Sequence, residues 1–248
     1  MKRLLLLLFL PFLSCNPAAD FPAQHVEIKG EGAVTIIFES GMAGTHDEWD
    51  GYIDTLSKFA RVFTYDRAGI GSSDSTHAER TIPRMHEELQ HLLSENSIEP
   101  PFILVGHSMG SYISRYFADQ NPKSVVGMLL IDPSPNRLYD EYSEEEMSNF
   151  IQFGEEAMSN SPQGDINEWR AYLDNRKYVD GLVPNNDIPV IILSGTQWDF
   201  WEYHEDFMNE HPMSQHVQLD GSHALHKEHP ATITRYLFNL IESYQENR

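Results

Sequence analysis

Residues 102–110 read Phe102-Ile103-Leu104-Val105-Gly106-His107-Ser108-Met109-Gly110, and this stretch is the strongest indication of the fold in the sequence. The apolar residues at its start predict a buried strand. The residues that follow, from Tyr112 to Phe117, predict a helix because their apolar members recur at helical spacing. The glycines on both sides of Ser108 allow the strand and the helix to pack closely around a sharp turn. The stretch therefore predicts a strand, a tight turn that presents a serine, and a helix.

A Gly-x-Ser-x-Gly turn between a strand and a helix is the pattern of a nucleophile elbow. A serine hydroxyl is a weak nucleophile at neutral pH, so it needs an exposed position and a neighbouring base. An ordinary strand-to-helix turn can carry the same five residues. The setting, together with possible partners later in the chain, favours the functional interpretation, and we take Ser108 as the candidate nucleophile.

Apolar and β-branched runs elsewhere predict further strands of one sheet. They are His25–Lys29, Val34–Phe38, Arg61–Tyr65, Val125–Ile131, Pro189–Leu193 and His216–Leu219. Helical patterns separate most of these runs, and strands that alternate with helices form mostly parallel sheets with right-handed crossovers. We predict an α/β fold with a mostly parallel central sheet flanked by helices, built from residues 25–132 and 188–248.

Residues 133–187 interrupt this alternation, because they contain no convincing strand. Ser143 and Glu146 have the spacing of a capping box at a helix start. We predict a small helical cap here, inserted between two strands and lying over the strand ends where open α/β sheets bind ligands. An excursion away from the site is the alternative for this segment.

A serine nucleophile needs a histidine base and an acid that orients it, and both residue types follow late strands. Asp199 lies in the turn after the strand Pro189–Leu193, and His223 lies after the strand His216–Leu219. Asp132 also ends a strand and is the alternative acid. The order Ser108, Asp199, His223 is our preferred triad.

Four segments resemble the α/β-hydrolase superfamily, and in particular its serine esterase and peptidase-like members. They are the loop Glu39-Ser40-Gly41-Met42-Ala43-Gly44, the turn Tyr65-Asp66-Arg67-Ala68-Gly69-Ile70-Gly71-Ser72-Ser73-Asp74, the elbow around Ser108, and the late segment at His223. The resemblance extends over nearly everything after the N-terminal leader. One departure is Ser40-Gly41, where the family commonly has His-Gly.

The resemblance implies a mechanism. Ser108 would attack an acyl carbonyl, His223 would accept and return the proton, and Asp199 would fix the imidazole tautomer. The backbone N–H groups of Met42 and Met109 would hold the oxyanion. Relatives that open epoxides or remove halogens carry aspartate at the nucleophile position, so the serine here disfavours those reactions.

Aromatic residues near the proposed acid and in the cap could line an apolar acyl pocket, with Trp198, Trp201 and Phe150 as candidates. Alternatively, these rings hold the cap to the core.

We expect a cofactor-independent hydrolase of carboxylic esters that acts on a small-molecule acyl substrate. Amide or peptide hydrolysis and acyl transfer use the same triad and stay open, as does a surface binding protein that has lost turnover. We expect no metal, because His86 and His91 miss the spacing of a His-Glu-x-x-His motif by one residue.

The N-terminus has the basic, apolar and small-residue parts of an export signal over residues 1–14. Cys15, the single cysteine, lies where a bacterial lipoprotein signal places the lipidated residue, although Phe12 and Leu13 depart from the usual pattern. Residues 15–24 would form a tether. We expect an exported lipoprotein that faces the periplasm or lies at the cell surface, held to the membrane by a lipid anchor. Ordinary secretion and an uncleaved anchor are the alternatives.

The composition excludes one class of partner. The formal net charge is -21, with 17 basic and 38 acidic residues. Nucleic-acid binding needs clustered Lys and Arg, so nucleic acid is not an expected partner. The oligomeric state is not indicated by the sequence.

Overall fold

The computed structural model describes residues 21–182 and 185–246. The predicted export signal, Cys15 and most of the predicted tether lie outside these residues. No helix in the described part is long and apolar enough to cross a membrane.

A seven-stranded sheet forms the centre of the described chain, in the order β1-β3-β2-β4-β5-β6-β7. The strands are β1 (Val26–Lys29), β2 (Thr35–Glu39), β3 (Arg61–Tyr65), β4 (Phe102–His107), β5 (Val125–Ile131), β6 (Val190–Gly195) and β7 (Gln215–Leu219). Strand β1 pairs antiparallel with β3, and all the other pairs are parallel. The predicted α/β class and mostly parallel sheet are confirmed.

Helices cover both faces of this sheet. They are α1 (Asp50–Leu56), α2 (Ile82–Glu95), α3 (Gly110–Gln120), α4 (Glu144–Met158), α5 (Gln163–Asn175), α6 (Trp201–His204), α7 (Leu225–Glu228) and α8 (Pro230–Glu246). Adjacent residues of one strand face opposite sides. Ile36 belongs to the core with α1 and α8, whereas Ile37 belongs to the core with α2 and α3. The continuous apolar runs of the sequence are explained by this burial on both faces.

Between β5 and β6 the described chain forms helices α4 and α5 and short 3₁₀ turns, in what we call the helical insertion, residues 133–187. The predicted capping box is present, because Ser143 and Glu146 exchange side-chain and backbone hydrogen bonds at the start of α4. A third apolar cluster joins the insertion to the core, with Tyr139 and Tyr172 on one side and Met109 and Tyr112 on the other. The insertion is thereby packed against the elbow helix α3.

Candidate active site

Ser108 occupies the turn between β4 and α3, where its backbone has a positive φ of 50°. Such a conformation is costly for a residue with a side chain and persists only where the surrounding structure holds it. Space at the turn is restricted. A Cβ on Gly110 would lie 2.2 Å from the carbonyl oxygen of Glu39, and one on Gly106 would lie 2.7 Å from Ser114 Oγ. Both flanking glycines are therefore required for close packing.

His223 pairs with Asp132, the acid that directly follows β5. The distance from His223 Nδ1 to Asp132 Oδ2 is 2.6 Å, and the aspartate side chain is only 4% exposed. The other carboxylate oxygen accepts the backbone N–H of Gly195 at 2.9 Å. Asp132, like Ser108, has a positive φ, here of 39°. The carboxylate is thus fixed from both sides, with one oxygen directed at the imidazole.

The structure does not bring Asp199 to His223, which corrects our preferred pairing. Asp199 is exposed, and its side chain has no hydrogen bond or ion pair within the described ranges. A neighbour in its turn, Gln197, instead accepts the backbone N–H of His223 through its side-chain oxygen at 2.9 Å. The turn after β6 therefore holds the main chain of the histidine, while the ring reaches past it to the end of β5. The alternative acid, Asp132, occupies the place expected of Asp199.

The elbow and the acid are joined by backbone contacts. Ser108 N donates to the oxygen of Ile131, the residue before Asp132, at 3.1 Å, and Ser134 N donates to the Ser108 oxygen at 3.2 Å. Ser108 Oγ and the His223 ring form no hydrogen bond with each other in the described part of the chain. Catalytic hydrogen bonds are often long in unliganded enzymes and tighten when substrate binds.

His107, the residue before Ser108, holds the main chain of His223. Its Nε2 donates to the carbonyl oxygen of His223 at 2.9 Å, and the two ring centroids are 4.8 Å apart. Burial lowers the pKa of His107 well below its usual value, and the nearby rings of His223 and His226 add to this effect. A neutral ring with a fixed N–H is suited to hold the main chain of its neighbour.

The loop after β2 lies against the elbow. A Cβ on Gly41 would lie 2.9 Å from His107 Nδ1 and 3.4 Å from Ser108 Cβ, so a side chain there would displace the His107 ring. The backbone N–H groups of Met42 and Met109 donate to no acceptor among the described residues. Met109 directly follows Ser108, and Met42 directly follows Gly41, which lies against the elbow. Unpaired backbone donors of this kind are what an oxyanion hole requires.

The insertion reaches this loop through Glu168 of α5. Arg67 donates to both oxygens of Glu168, at 2.7 and 2.9 Å, and Ala43 N donates to one of them at 2.9 Å. The same guanidinium donates to the carbonyl oxygens of Ser40 and Gly41, at 2.8 and 2.6 Å. This Arg67–Glu168 clamp holds the loop by its main chain. The sequence did not predict this clamp, because Arg67 stands there only in a turn that resembles the family and nothing singles out Glu168.

Glu39 is buried beside this clamp. Its Oε1 accepts a hydrogen bond from Tyr65 at 2.6 Å, and its Oε2 lies 3.9 Å from Arg67. Burial raises the pKa of Glu39 to about 7, although the positive charge of Arg67 opposes the shift. A carboxyl group at the base of the loop is therefore close to its titration point at neutral pH.

The three candidate pocket residues lie in different places. Trp198 is beside the site, with its ring centroid 4.8 Å from that of His223 and 42% of the residue exposed. Trp201 stacks on His216 with ring centroids 3.5 Å apart. Phe150 packs among aromatic rings of the insertion and belongs to the cluster that contains Met42 and Met109. Only Trp198 contacts a proposed catalytic side chain.

Solved structures of the same shape include several hydrolases. The chain is similar to the mouse alpha/beta hydrolase domain-containing protein 10, at 19% identity and a TM-score of 0.71, over 92% of this chain and 97% of that one. It is also similar to a thermophilic esterase from Thermogutta terrifontis, at 22% identity and a TM-score of 0.68, over 89% and 93% of the two chains. At these identities the similarity establishes the fold.

Relatives in sequence match over a shorter length. An AB hydrolase superfamily protein of Gibberella zeae is 39% identical over 52% of this chain and 43% of its own length. A putative carbamate hydrolase of Agrobacterium fabrum, RutD, is 29% identical over 47% of this chain and 48% of its own length. The matched segment thus spans less than half the length of these curated relatives.

The family model for the alpha/beta hydrolase fold matches residues 34–159, just over half of the chain. The match includes the loop after β2, the turn at Arg67, the elbow at Ser108 and the acid Asp132. The predicted resemblance is confirmed, and the protein belongs to the α/β-hydrolase family.

Proposed function

We propose that the protein is a serine hydrolase that cleaves a carboxylic ester through an acyl-enzyme. The observation that carries this proposal is the 2.6 Å contact between His223 Nδ1 and the buried Asp132, next to a serine held in a strained turn. A nucleophile, a base and an orienting acid at one sheet edge are the parts that acyl transfer needs.

In the first half of the reaction, Ser108 Oγ attacks the ester carbonyl while His223 Nε2 takes the hydroxyl proton. The hydrogen bond to Asp132 keeps the ring proton on Nδ1, so Nε2 carries the lone pair that can accept the serine proton. The same carboxylate stabilises the imidazolium ion that forms. His223 then gives the proton to the leaving alkoxide, and the acyl group stays on Ser108.

In the second half, water attacks the acyl-enzyme, His223 takes a proton from it, and the acid product leaves as Ser108 regains its proton. Both tetrahedral intermediates carry a negative oxygen. The N–H groups of Met42 and Met109 are the proposed donors to it, and loss of one such donor costs about 2.7–4 kcal/mol in a well-studied hydrolase. The Arg67–Glu168 clamp would hold the Met42 peptide in place by fixing the residues on both sides of it.

Amide or carbamate hydrolysis on the same residues is the second candidate. The observation in its favour is the similarity to the putative carbamate hydrolase RutD. The esterases and the enol-lactonase among the similar structures favour ester substrates instead. Trp198, exposed beside His223, is the residue we propose to contact the substrate.

A fluorophosphonate probe and a panel of short-chain p-nitrophenyl esters test the proposal. The wild-type protein should be labelled and should hydrolyse the esters, whereas Ser108→Ala should do neither. Ser75→Ala is the control, because Ser75 is exposed and makes no contact with the described residues. Labelling that survives Ser108→Ala would refute the proposal. Faster turnover of p-nitroanilides or carbamates than of the matched esters would favour the second candidate.

We also propose that the protein is exported and anchored by a lipid at Cys15. The basic start, the apolar run and the single cysteine of the leader support this. Cell fractionation should find the wild type in the membrane fraction and Cys15→Ala in the soluble fraction. Unchanged membrane association of the variant would refute lipidation.

A further inference from the structure

His25, Glu27 and His46 come together at the outer edge of the sheet, away from the proposed triad. The ligand atoms that they offer all lie within 4.8 Å of one another. Glu27 Oε1 is 3.8 Å from His25 Nε2 and 3.7 Å from His46 Nε2. His25 Nε2 is shielded from solvent and has no hydrogen-bond partner in the described chain. We propose that these three residues bind a divalent transition-metal ion, for which Zn²⁺ is the natural candidate.

The distances fit a shared metal ion. Ligands at 2.0–2.1 Å from one zinc in tetrahedral geometry are roughly 3.4 Å apart. The observed 3.7 and 3.8 Å to Glu27 need to close by only a few tenths of an ångström, which rotation of the long Glu27 side chain can provide. The ligand nitrogens of His25 and His46 lie within 4.8 Å of each other, so the two rings would also have to move together to share one ion. His25 and Glu27 are two residues apart, flanking Val26 at the start of β1, and therefore project to the same side of the strand.

Asp66 prepares His46 to be a ligand. The distance from His46 Nδ1 to Asp66 Oδ1 is 2.9 Å, and the backbone N–H of His46 donates to the same oxygen at 2.7 Å. The second carboxylate oxygen of Asp66 accepts the N–H of Ser72 at 2.8 Å. A carboxylate behind a histidine fixes the ring orientation and leaves Nε2 as the metal-binding nitrogen. His46 Nε2 is the atom that faces Glu27.

The donor set selects the kind of ion. Two imidazoles and one carboxylate suit zinc and its neighbours in the transition series, whereas calcium and magnesium prefer sites made of oxygen alone. The side chains of His25, Glu27 and His46 are 34%, 47% and 18% exposed, so an ion can enter from solvent and retain a water ligand. The competing explanation is a pair of ordinary His–Glu ion pairs, which requires protonated rings and no metal.

The site would connect the N-terminal strand to the catalytic loop. His46 comes directly after Thr45, whose carbonyl oxygen accepts a hydrogen bond from Ser40 at 3.0 Å. An ion on His25, Glu27 and His46 would therefore cross-link β1 to the end of the loop that carries Met42. This role is structural, and its readouts do not depend on catalysis. It departs from our expectation of no metal, which rested on the spacing of other histidines.

Calorimetric titration of Zn²⁺ into untagged, metal-free protein tests the proposal, with the absorption spectrum of bound Co²⁺ as a second measurement. We expect one equivalent of Zn²⁺ to bind at micromolar concentration and to raise the melting temperature. His25→Gln, Glu27→Gln and His46→Gln should each weaken binding by at least ~10-fold, since even outer partners of metal ligands are worth 10–100-fold.

His77→Gln is the matched control, because His77 is exposed and its side chain forms no hydrogen bond, ion pair or ring contact with other described residues. Each variant is checked by circular dichroism, and His25→Gln provides a variant that keeps the His46–Asp66 contact. The proposal is refuted by the absence of Zn²⁺ binding at micromolar concentration. It is equally refuted if the three variants bind like the wild type, or if His77→Gln weakens binding as much as they do.

Discussion

Replacement of Asp132 by asparagine separates the two candidate acids. The Oδ1 atom of Asp132 already accepts the Gly195 N–H at 2.9 Å, so the amide oxygen of asparagine should take that place. The amide NH₂ would then face His223 Nδ1, which must act as acceptor. The ring proton moves to Nε2, and the base toward Ser108 is lost. The corresponding change in a well-studied serine protease lowers kcat about 10⁴-fold, or about 5 kcal/mol of barrier height.

Steady-state kinetics on a p-nitrophenyl ester measure this effect, with Asp199→Asn as the control. Asp199 is exposed and lacks contacts, so its variant should stay within about threefold of the wild type, as expected for a surface change of under 0.5 kcal/mol. Thermal melts of both variants exclude unfolding as the cause. The reasoning is refuted if Asp132→Asn retains a tenth of wild-type activity, or if Asp199→Asn is the variant that loses it.

Three further predictions concern stability, measured by urea unfolding. Glu168→Gln should destabilise the fold by about 3 kcal/mol, because it removes the carboxylate that directly binds the buried Arg67 guanidinium, whereas Glu155→Gln on the exposed side of α4 should be neutral. Gly154→Ala should destabilise by about 1–3 kcal/mol, since its Cβ would overlap an indole ring at 1.8 Å. The matched Gly51→Ala has open space and should stabilise α1 by up to about 1 kcal/mol. Because burial raises the pKa of Glu39 from 4.5 to about 7, the folded chain retains a proton that the unfolded chain releases between these values. The contribution of Glu39 to stability should therefore fall as the pH rises from 4.5 to 7, by up to about 3 kcal/mol. Burial lowers the pKa of His204, His216 and His226, which acts in the opposite direction in both proteins, so the effect of Glu39 is measured as the difference in unfolding free energy between the wild type and Glu39→Gln at each pH. A difference between the wild type and Glu39→Gln that does not change with pH, or equal effects within either matched pair, would contradict these assignments.

The sheet could be predicted because its physical cause is local. Strands such as β2 and β4 are buried on both faces, so they contain continuous apolar runs, Ile36-Ile37-Phe38 and Phe102-Ile103-Leu104-Val105, that stand out from the helical patterns around them. The elbow could be predicted for the same reason, since two glycines beside Ser108 report a tight turn. Both signals lie within a few residues of the feature that they indicate.

The acid that pairs with His223 could not be identified from a local pattern in the sequence. Asp132 and Asp199 both follow strands that end at the same edge of the sheet, and no local pattern shows toward which strand His223 turns. The choice depends on contacts across the sheet, such as Gln197 holding the His223 backbone. From the sequence, both acids are expected near the site and Asp199 is preferred, whereas in the structure the His223 ring contacts Asp132.

Glu168 is a second residue whose role could not be predicted from the sequence. It is one of 38 acidic residues, and 101 positions separate it from the arginine that it binds. Burial makes this carboxylate different from its surface counterparts, and burial at an interface between segments leaves no mark in a single sequence. The group of His25, Glu27 and His46 is hidden in the same way, because spacing brings only His25 and Glu27 to one side of β1, and His46 joins them only in the folded chain.

The insertion is not freely exchangeable between members of the family, because Glu168 supplies the counterion for an arginine of the core. A hydrolase that acquired a different insertion would need a carboxylate at the same place, or a simultaneous change at Arg67. Divergence is easier on the outer surface of α4, where Phe153 is 72% exposed. The outer residues of the insertion are therefore free to vary, while the position of its inner helix is tied to the loop after β2 through Glu168.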